Sequence, residues 1–454
     1  MTHDDLIYLT IADASKLLKT KRLSAVALLE AVLHQIEAVD DKVHAYITVT
    51  AEQAMAAAKA ADREIQKKQY RGPLHGIPMA VKDTHYTAGT RTTVATPILS
   101  DFVPDFDATV IERIKDAGAV LVGKLNLPEF SFGGATPGTQ NPWDLSRTPG
   151  GSSGGSGAAL AAGLALAATG GDTSGSIRGP ASYCGIVGLK PTFGLVSRFG
   201  IAAISNSLDH VGPMTRTVED NAILLNILAG HDERDRSSAQ VPLPNYTKAI
   251  GKRVKGMKIG IPVPTQLDGC HADVLVAFHN AISVYEKLGA KIKEIELPFM
   301  KESETVQRVV RISEAASYHE PFLKHQPKNY GSSHVRRDVE LGSMITAVQY
   351  LRAQKIRVHI AAAFERAFTR LDALLTPAEA EPAGEQRQSR YNYLSYFNLL
   401  GNPALALPCG FSTSPPGLPL GLQIVGHPFE DKTVYRLGAA YESVTAWHRK
   451  RPPL

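Results

Sequence analysis

Two clusters of small residues set the strictest limit on how this chain can fold. Residues 150–157 read Gly-Gly-Ser-Ser-Gly-Gly-Ser-Gly, and residues 170–176 read Gly-Gly-Asp-Thr-Ser-Gly-Ser. Between them, 158–168 is an apolar run of Ala, Leu and Gly that reads as a helix. Composition of this kind in isolation means a flexible linker. A linker is not threaded through the middle of a core, however, and strand-like segments resume directly after the second cluster. The clusters are places where the backbone turns sharply and approaches a ligand closely.

The flanking pattern is α/β. Thr10 with Asp13, Ser24 ahead of Leu29, Val32, Leu33 and Ile36, and Thr50 with Gln53 mark the starts of three N-terminal helices. The apolar run Ile77–Val81, ending in Lys82-Asp83, reads as a buried strand. A helix near 109–118 and a second buried strand at 119–123 follow. Further strands are expected at 258–261, 373–375, 404–407 and 422–425, and helices near 272–288, 303–325, 344–370 and 431–447. Strand–helix alternation of this kind places helices over a sheet. The polar, turn-rich segment 379–390 is expected to be a mobile surface loop.

Composition narrows the function. The 454 residues are 44% hydrophobic and 20% charged, enough apolar material for a large core. The net charge of +5 is small, and basic residues are interspersed with acids, so nucleic acid is not expected as a ligand. Cys184, Cys270 and Cys409 are too few and too scattered for a disulfide framework or a cysteine-built zinc site. The opening residues do not read as a signal peptide, and no apolar run approaches membrane-spanning length. A soluble, cytoplasmic protein without a membrane partner is expected.

Two chemistries compete for the Gly/Ser clusters. A phosphate-cradling loop would need a following Lys-Ser/Thr or a well-placed acidic residue, and neither is present. A nucleophile site needs a serine on Gly-rich backbone, amide N–H groups to meet an oxyanion, and a base. None of the 15 histidines stands in a context that recommends it as that base. A lysine serves if burial disfavours its charged form, and Lys82 at the end of an apolar strand is placed for that.

Read together, the motifs are specific. Gly76-Ile77-Pro78, Val81-Lys82-Asp83, the two clusters with Ile177-Arg178, Cys184-Gly185, Gly188 to Thr192, Ser207-Leu208-Asp209 and Gly417 to Gln423 closely resemble the amidase signature family. The resemblance covers nearly the whole chain and is strongest over 72–220. It implies a single large α/β/α sandwich around a mixed central sheet. That domain would span 1–454, with an N-terminal helical part at 1–70, a catalytic core at 71–220 and a variable, pocket-forming part at 240–395. It also implies Ser176 as nucleophile, Lys82 as catalytic base and Ser152, after a cis peptide bond, as the bridging serine. The backbone N–H groups of Thr173, Ser174, Gly175 and Ser176 would face the oxyanion, and Ser131 would line the substrate pocket. No metal or cofactor is implied. Ser174 stands where many members have Gly, which puts a β-carbon near the substrate.

Other residues have blander readings. Ser153 is expected to be a structural hydrogen-bonder, and Asp172 with Arg178 to support the loop. Cys184 is expected in the core, and His210 beside Asp209 is expected to serve packing, since neighbours on a strand face opposite ways. Tyr318, Met344 and Tyr350 read equally as core or pocket wall. The leading expectation is a stand-alone amidohydrolase acting on a small-molecule amide, carbamate or ester, and the family also admits a homodimer. The alternative is the glutamine-hydrolysing A subunit of a tRNA-dependent amidotransferase. The segment Ser313–His319 followed by Tyr330-Gly331 resembles free amidases more, and no glutamine-recognition segment stands out. A nucleotide-binding module is the non-enzymatic reading.

Overall fold

The computed structural model describes residues 2–385 and 388–454. Eleven strands form one sheet: Tyr46–Val49 (β1), Pro78–Lys82 (β2), Val120–Leu125 (β3), Ala167–Asp172 (β4), Val187–Lys190 (β5), His210–Thr215 (β6), Lys258–Pro262 (β7), Lys291–Ile295 (β8), Ala373–Pro377 (β9), Ala404–Thr413 (β10) and Pro416–Val425 (β11). Their order is β1-β3-β2-β4-β6-β5-β10-β11-β9-β7-β8. The sheet is mixed: β2 runs parallel to β3 and β4, while β4 pairs antiparallel with β6. Helices pack against it to complete the α/β sandwich that the family resemblance implied.

Position in the sheet explains strand composition. β2 and β9 are buried throughout and read as nearly unbroken apolar runs, as expected for strands covered on both faces. The edge strand β8, Lys-Ile-Lys-Glu-Ile, has exposed charges at Lys291, Lys293 and Glu294, which discourage pairing with another chain.

Several local expectations change in three dimensions. The apolar run 158–168 is not one helix. The helix spans Gly154–Ala161, Gly163 at φ +74° ends it, and Ala167 begins β4 in the middle of the sheet. Both halves are fully buried, so periodicity could not separate them. The expected helix 344–370 is preceded by a separate helix, Ser333–Ser343, and itself spans Ala347–Phe368. Thr50 precedes the helix Ala51–Gln66 as foreseen, but its hydroxyl donates to the Leu121 carbonyl at 3.3 Å and does not cap that helix. In the segment 379–390, Ala380, Glu381, Pro382 and Ala383 are buried rather than lying on the surface, and residues 386 and 387 lie outside the described residues. No helix among the described residues is long and apolar enough to cross a membrane.

Candidate active site

The C-terminal end of β2 delivers Lys82 to the protein interior. Its side chain is 1% exposed, and Nζ lies 2.7 Å from Ser152 Oγ. Burial, partly opposed by the charges of Asp172 and Asp209, pulls its amine down from 10.5 to about 7. Ser152 follows a cis peptide bond from Gly151 and sits just ahead of the helix Gly154–Ala161. A side chain at Gly151 would collide with the backbone of 133–135, and a Cβ at Gly155 would meet Asn126 and Ala45 backbone at 2.5–2.6 Å. Small residues here are a packing requirement. Ser153 ties the cluster to its neighbours: its N–H donates to the Ser176 carbonyl at 3.2 Å, and its hydroxyl meets both polar groups of the Gly171 backbone.

The loop after β4 carries Ser176 and is organised by one carboxylate. Asp172 accepts from the N–H of Gly175 (2.7 Å) and Ile177 (3.1 Å), from Arg178 Nε and Nη2 (both 3.0 Å), and from Asn398 Nδ2 (2.8 Å). Burial alone would raise its carboxyl, but the Arg178 guanidinium holds it well below the usual range. Arg178 also donates to Gln423 (2.5 Å) and Asn398 (2.6 Å), so the loop is anchored from β11 and from the helix Tyr393–Leu400. Gly175 adopts φ +117°, and its added Cβ would meet the Leu394 side chain at 2.5 Å. The Gly175 N–H therefore points to Asp172 rather than into the cleft. Among the described residues, the N–H groups of Thr173, Ser174 and Ser176 meet no protein acceptor.

The residues singled out from sequence fall around two adjoining hollows. Ser131, Gly151, Thr173, Ser174, Gly175 and half-buried Ser176 line a cleft of about 440 Å³. Lys82, Ser152, Ser131 and Thr173 line a smaller hollow of about 200 Å³. Ser131 and Thr173 thus belong to both. Ser131 adopts φ +64° just after Phe130, itself at φ +48°.

Cys184 stands apart from this chemistry, whereas His210 borders the Lys82 hollow with its Nδ1 turned to backbone carbonyls. His210 Nδ1 is 2.7 Å from the Leu208 carbonyl, and burial with the nearby Lys190 charge keeps its ring neutral. Asp209 faces elsewhere: it accepts from Thr173 Oγ1 at 2.6 Å and from the N–H groups of Ile204 and Ser205. Cys184 is fully buried, and burial alone raises its thiol far above its usual range. Of the three residues with undecided roles, Met344 is 76% exposed, whereas Tyr350 donates to Glu314 at 2.7 Å. Tyr318 packs its ring against His319 and Phe322.

One contributor had no local signal at all. Gln307, on the helix Met300–His325, donates to the Thr173 carbonyl (3.2 Å) and to Ser174 Oγ (2.5 Å). The Ser174 hydroxyl thus docks that helix onto the loop. The same helix presents Glu314 to Ser205 and Ser207. No cluster of metal-ligating side chains occurs among the described residues.

Comparison with known proteins identifies the family and agrees with the fold. A family model described as Amidase matches residues 27–435. The chain is 42% identical to the A subunit of glutamyl-tRNA(Gln) amidotransferase from Carboxydothermus hydrogenoformans, across 99% of this chain and 100% of that protein. The crystal structure of the corresponding A subunit from Thermotoga maritima is similar, with a TM-score of 0.82 at 36% identity over 97% of this chain and 96% of that one. Native peptide amidase from Stenotrophomonas maltophilia gives a TM-score of 0.86 at 30% identity over 98% of each chain.

The relatives correct one expectation and reorder another. A small-molecule amide, carbamate or ester handled by a chain with no nucleic acid in view does not describe proteins named as one subunit of a glutamyl-tRNA(Gln) amidotransferase. The charge argument failed because the balance of one chain reports only on that chain's own surface, not on an assembly. Amide chemistry holds for both readings of function, and of the two the relatives favour the amidotransferase component over the stand-alone amidase.

Proposed function

The chain belongs to the amidase signature family, and on that premise we propose that it is the glutamine-hydrolysing subunit of a tRNA-dependent amidotransferase, with Ser176 as nucleophile, Ser152 as relay and Lys82 as base. The observation that carries the chemistry is the buried Lys82 amine, 2.7 Å from Ser152 Oγ and brought down to about 7. A neutral amine accepts a proton, whereas an ordinary surface lysine does not. Full-length similarity to the amidotransferase relatives carries the choice of substrate.

In this mechanism Ser176 Oγ attacks the side-chain carbonyl carbon of glutamine while its proton passes through Ser152 to Lys82. The oxyanion is met by the backbone N–H groups of Ser174 and Ser176, with that of Thr173 nearby. Gly175 contributes shape rather than a donor, because its N–H is held by Asp172. The C–N bond breaks, the proton returns to the leaving nitrogen, and ammonia departs. Water then attacks the acyl-enzyme by the reverse relay and releases glutamate. Ser131 and Thr173, which border both hollows, would position the substrate between nucleophile and base. Ammonia would serve a partner protein that holds the charged tRNA.

The test is glutamine hydrolysis with hydroxylamine as a competing acceptor. Wild type should release ammonia and form γ-glutamyl hydroxamate, the product of intercepting an acyl-enzyme, and Ser176→Ala should do neither. Combined with the other subunits of its source, wild type should support glutamine-dependent formation of Gln-tRNA(Gln). Hydroxamate formation that survives in Ser176→Ala sinks the nucleophile. Glutamine left intact both alone and in the assembly sinks the substrate.

A further inference from the structure

Two stretches of the chain carry positive charge without any acidic residue. Residues 236–267 include six lysines and arginines, and residues 443–454 include His448-Arg449-Lys450-Arg451. The even balance of the whole sequence conceals both. The fold brings them to one place, where Lys252, Arg253, Lys255, His448 and Arg449 line a hollow of about 590 Å³. None of the residues around it lines either active-site hollow.

The cations are held outward by what lies beneath them. Val254 is buried between exposed Arg253 and Lys255. The Arg253 carbonyl accepts from Arg436 Nε at 2.9 Å, which fastens this loop to the helix Asp431–Glu442. Just past that helix, the single turn Trp447–Arg449 presents Arg449. Among the described residues, the side chains of Lys252, Arg253, Lys255 and Arg449 make no hydrogen bond and no ion pair. Two carboxyl groups share the lining. Glu442 accepts from the Val218 N–H at 3.0 Å, and burial pushes it up to about 8 despite the Arg449 charge, so it is largely protonated at neutral pH. Exposed Glu219 is the other. The lining is therefore strongly positive.

Lysines and arginines gathered around one hollow attract a chain of phosphates, and guanidinium groups take phosphate oxygens in pairs. No phenylalanine, tyrosine or tryptophan lines the hollow, so a base would find no ring to stack on. A surface of this kind holds the backbone and does not read sequence.

We propose that this surface binds the sugar–phosphate backbone of RNA, so that the chain itself holds the transfer RNA beside the partner that recognises it. The inference rests on the proposed function only for the presence of a transfer RNA in the assembly. It is independent of Ser176, and no active-site residue takes part.

The test is fluorescence anisotropy of a labelled tRNA(Gln) transcript with the full chain across a series of salt concentrations. Wild type is compared with the triple variant Lys252→Gln, Lys255→Gln, Arg449→Gln. A control triple, Lys42→Gln, Lys59→Gln, Lys67→Gln, removes the same charge from exposed positions elsewhere. Wild type and control should bind alike. The hollow variant should bind about 10- to 100-fold more weakly, and the slope of log Kd against log salt should fall by about 2 to 3. A transcript of unrelated sequence should bind wild type equally well. In the assembled amidotransferase the hollow variant should raise KM for tRNA and leave glutamine hydrolysis unchanged. Undiminished binding by the hollow variant, or an equal loss in the control, overturns the proposal. So does polyglutamate or a phosphatidylglycerol vesicle that displaces the transcript as well as RNA does at equal charge, because the surface then serves an acidic protein or a membrane. RNA bound through the hollow by a chain that leaves glutamine intact supports this surface and sinks the proposed substrate. Glutamine hydrolysed by a chain that binds no RNA does the reverse.

Discussion

Lys82 and Lys124 are both 1% exposed and sit on neighbouring parallel strands, yet they do different things. Val81 pairs with Lys124 and Lys82 with Leu125, so the alternation of strand side chains sends the two lysines to opposite faces of the sheet. Lys124 donates to the His85 carbonyl and to Thr92 Oγ1, both at 2.7 Å, and lies 3.3 Å from Asp83 Oδ1. Among the described residues, Lys82 Nζ has Ser152 Oγ as its one hydrogen-bond partner. Burial pulls both amines down, Lys124 to about 8 against the attraction of Asp83, Lys82 to about 7. Withdrawal from water does not make a base. A lysine enclosed by acceptors and a carboxylate stays an ammonium, and one left with a hydroxyl can give its proton up. Asp83, next to Lys82 in sequence, therefore serves the other lysine.

The largest effect that could break this contrast is on turnover. Lys82→Met, Ser152→Ala and Ser176→Ala should each lower kcat/KM for glutamine by at least about 10³-fold with circular dichroism unchanged. Lys124→Met should leave the surviving folded fraction active. Activity lost in Lys124→Met but kept in Lys82→Met would invert the assignment.

Stability should show the opposite ranking. Lys124→Met strands the Asp83 carboxylate inside the protein and should cost about 3–5 kcal/mol in urea unfolding. Lys82→Met replaces an amine that burial already disfavours as an ammonium and strands no paired carboxylate, so it should cost far less. Adding Asp83→Asn to Lys124→Met should recover part of the loss, and full additivity of the two changes would show that the pair is not coupled.

The pH dependence sharpens the contrast further. Below pH 7 the Lys82 ammonium cannot act as base, so kcat/KM should rise about tenfold per pH unit and level off above about 7. Between about 7 and 10.5 the unfolded chain holds the proton that folded Lys82 has released. Stability relative to Lys82→Met should therefore increase with pH across that window. A rate profile that is flat from pH 6 to 8 would argue against Lys82 as the base. The smallest effect is expected of Thr92→Val, which removes one acceptor from Lys124: about 1 kcal/mol of stability in urea unfolding and no change in turnover.

Sequence alone determined the local parts of this protein. Small residues at 150–157 and 170–176 could only mean close backbone approach, and the lysine at the end of an apolar strand could be seen as a withdrawn amine. Chain neighbours and periodicity carry that information, because turns and strands answer to residues a few positions apart. The tertiary structure decided what these parts meet. Asp172 is held by Arg178 nearby but also by Asn398, 226 residues away, and Gln307 reaches the loop across 133 residues. The division of labour between Lys82 and Lys124 depends on strand register. The run 158–168 shows the boundary between the two kinds of information. Its burial was legible, but its division into a helix and a central strand was not, since a segment buried on every side has no periodicity to declare which it is.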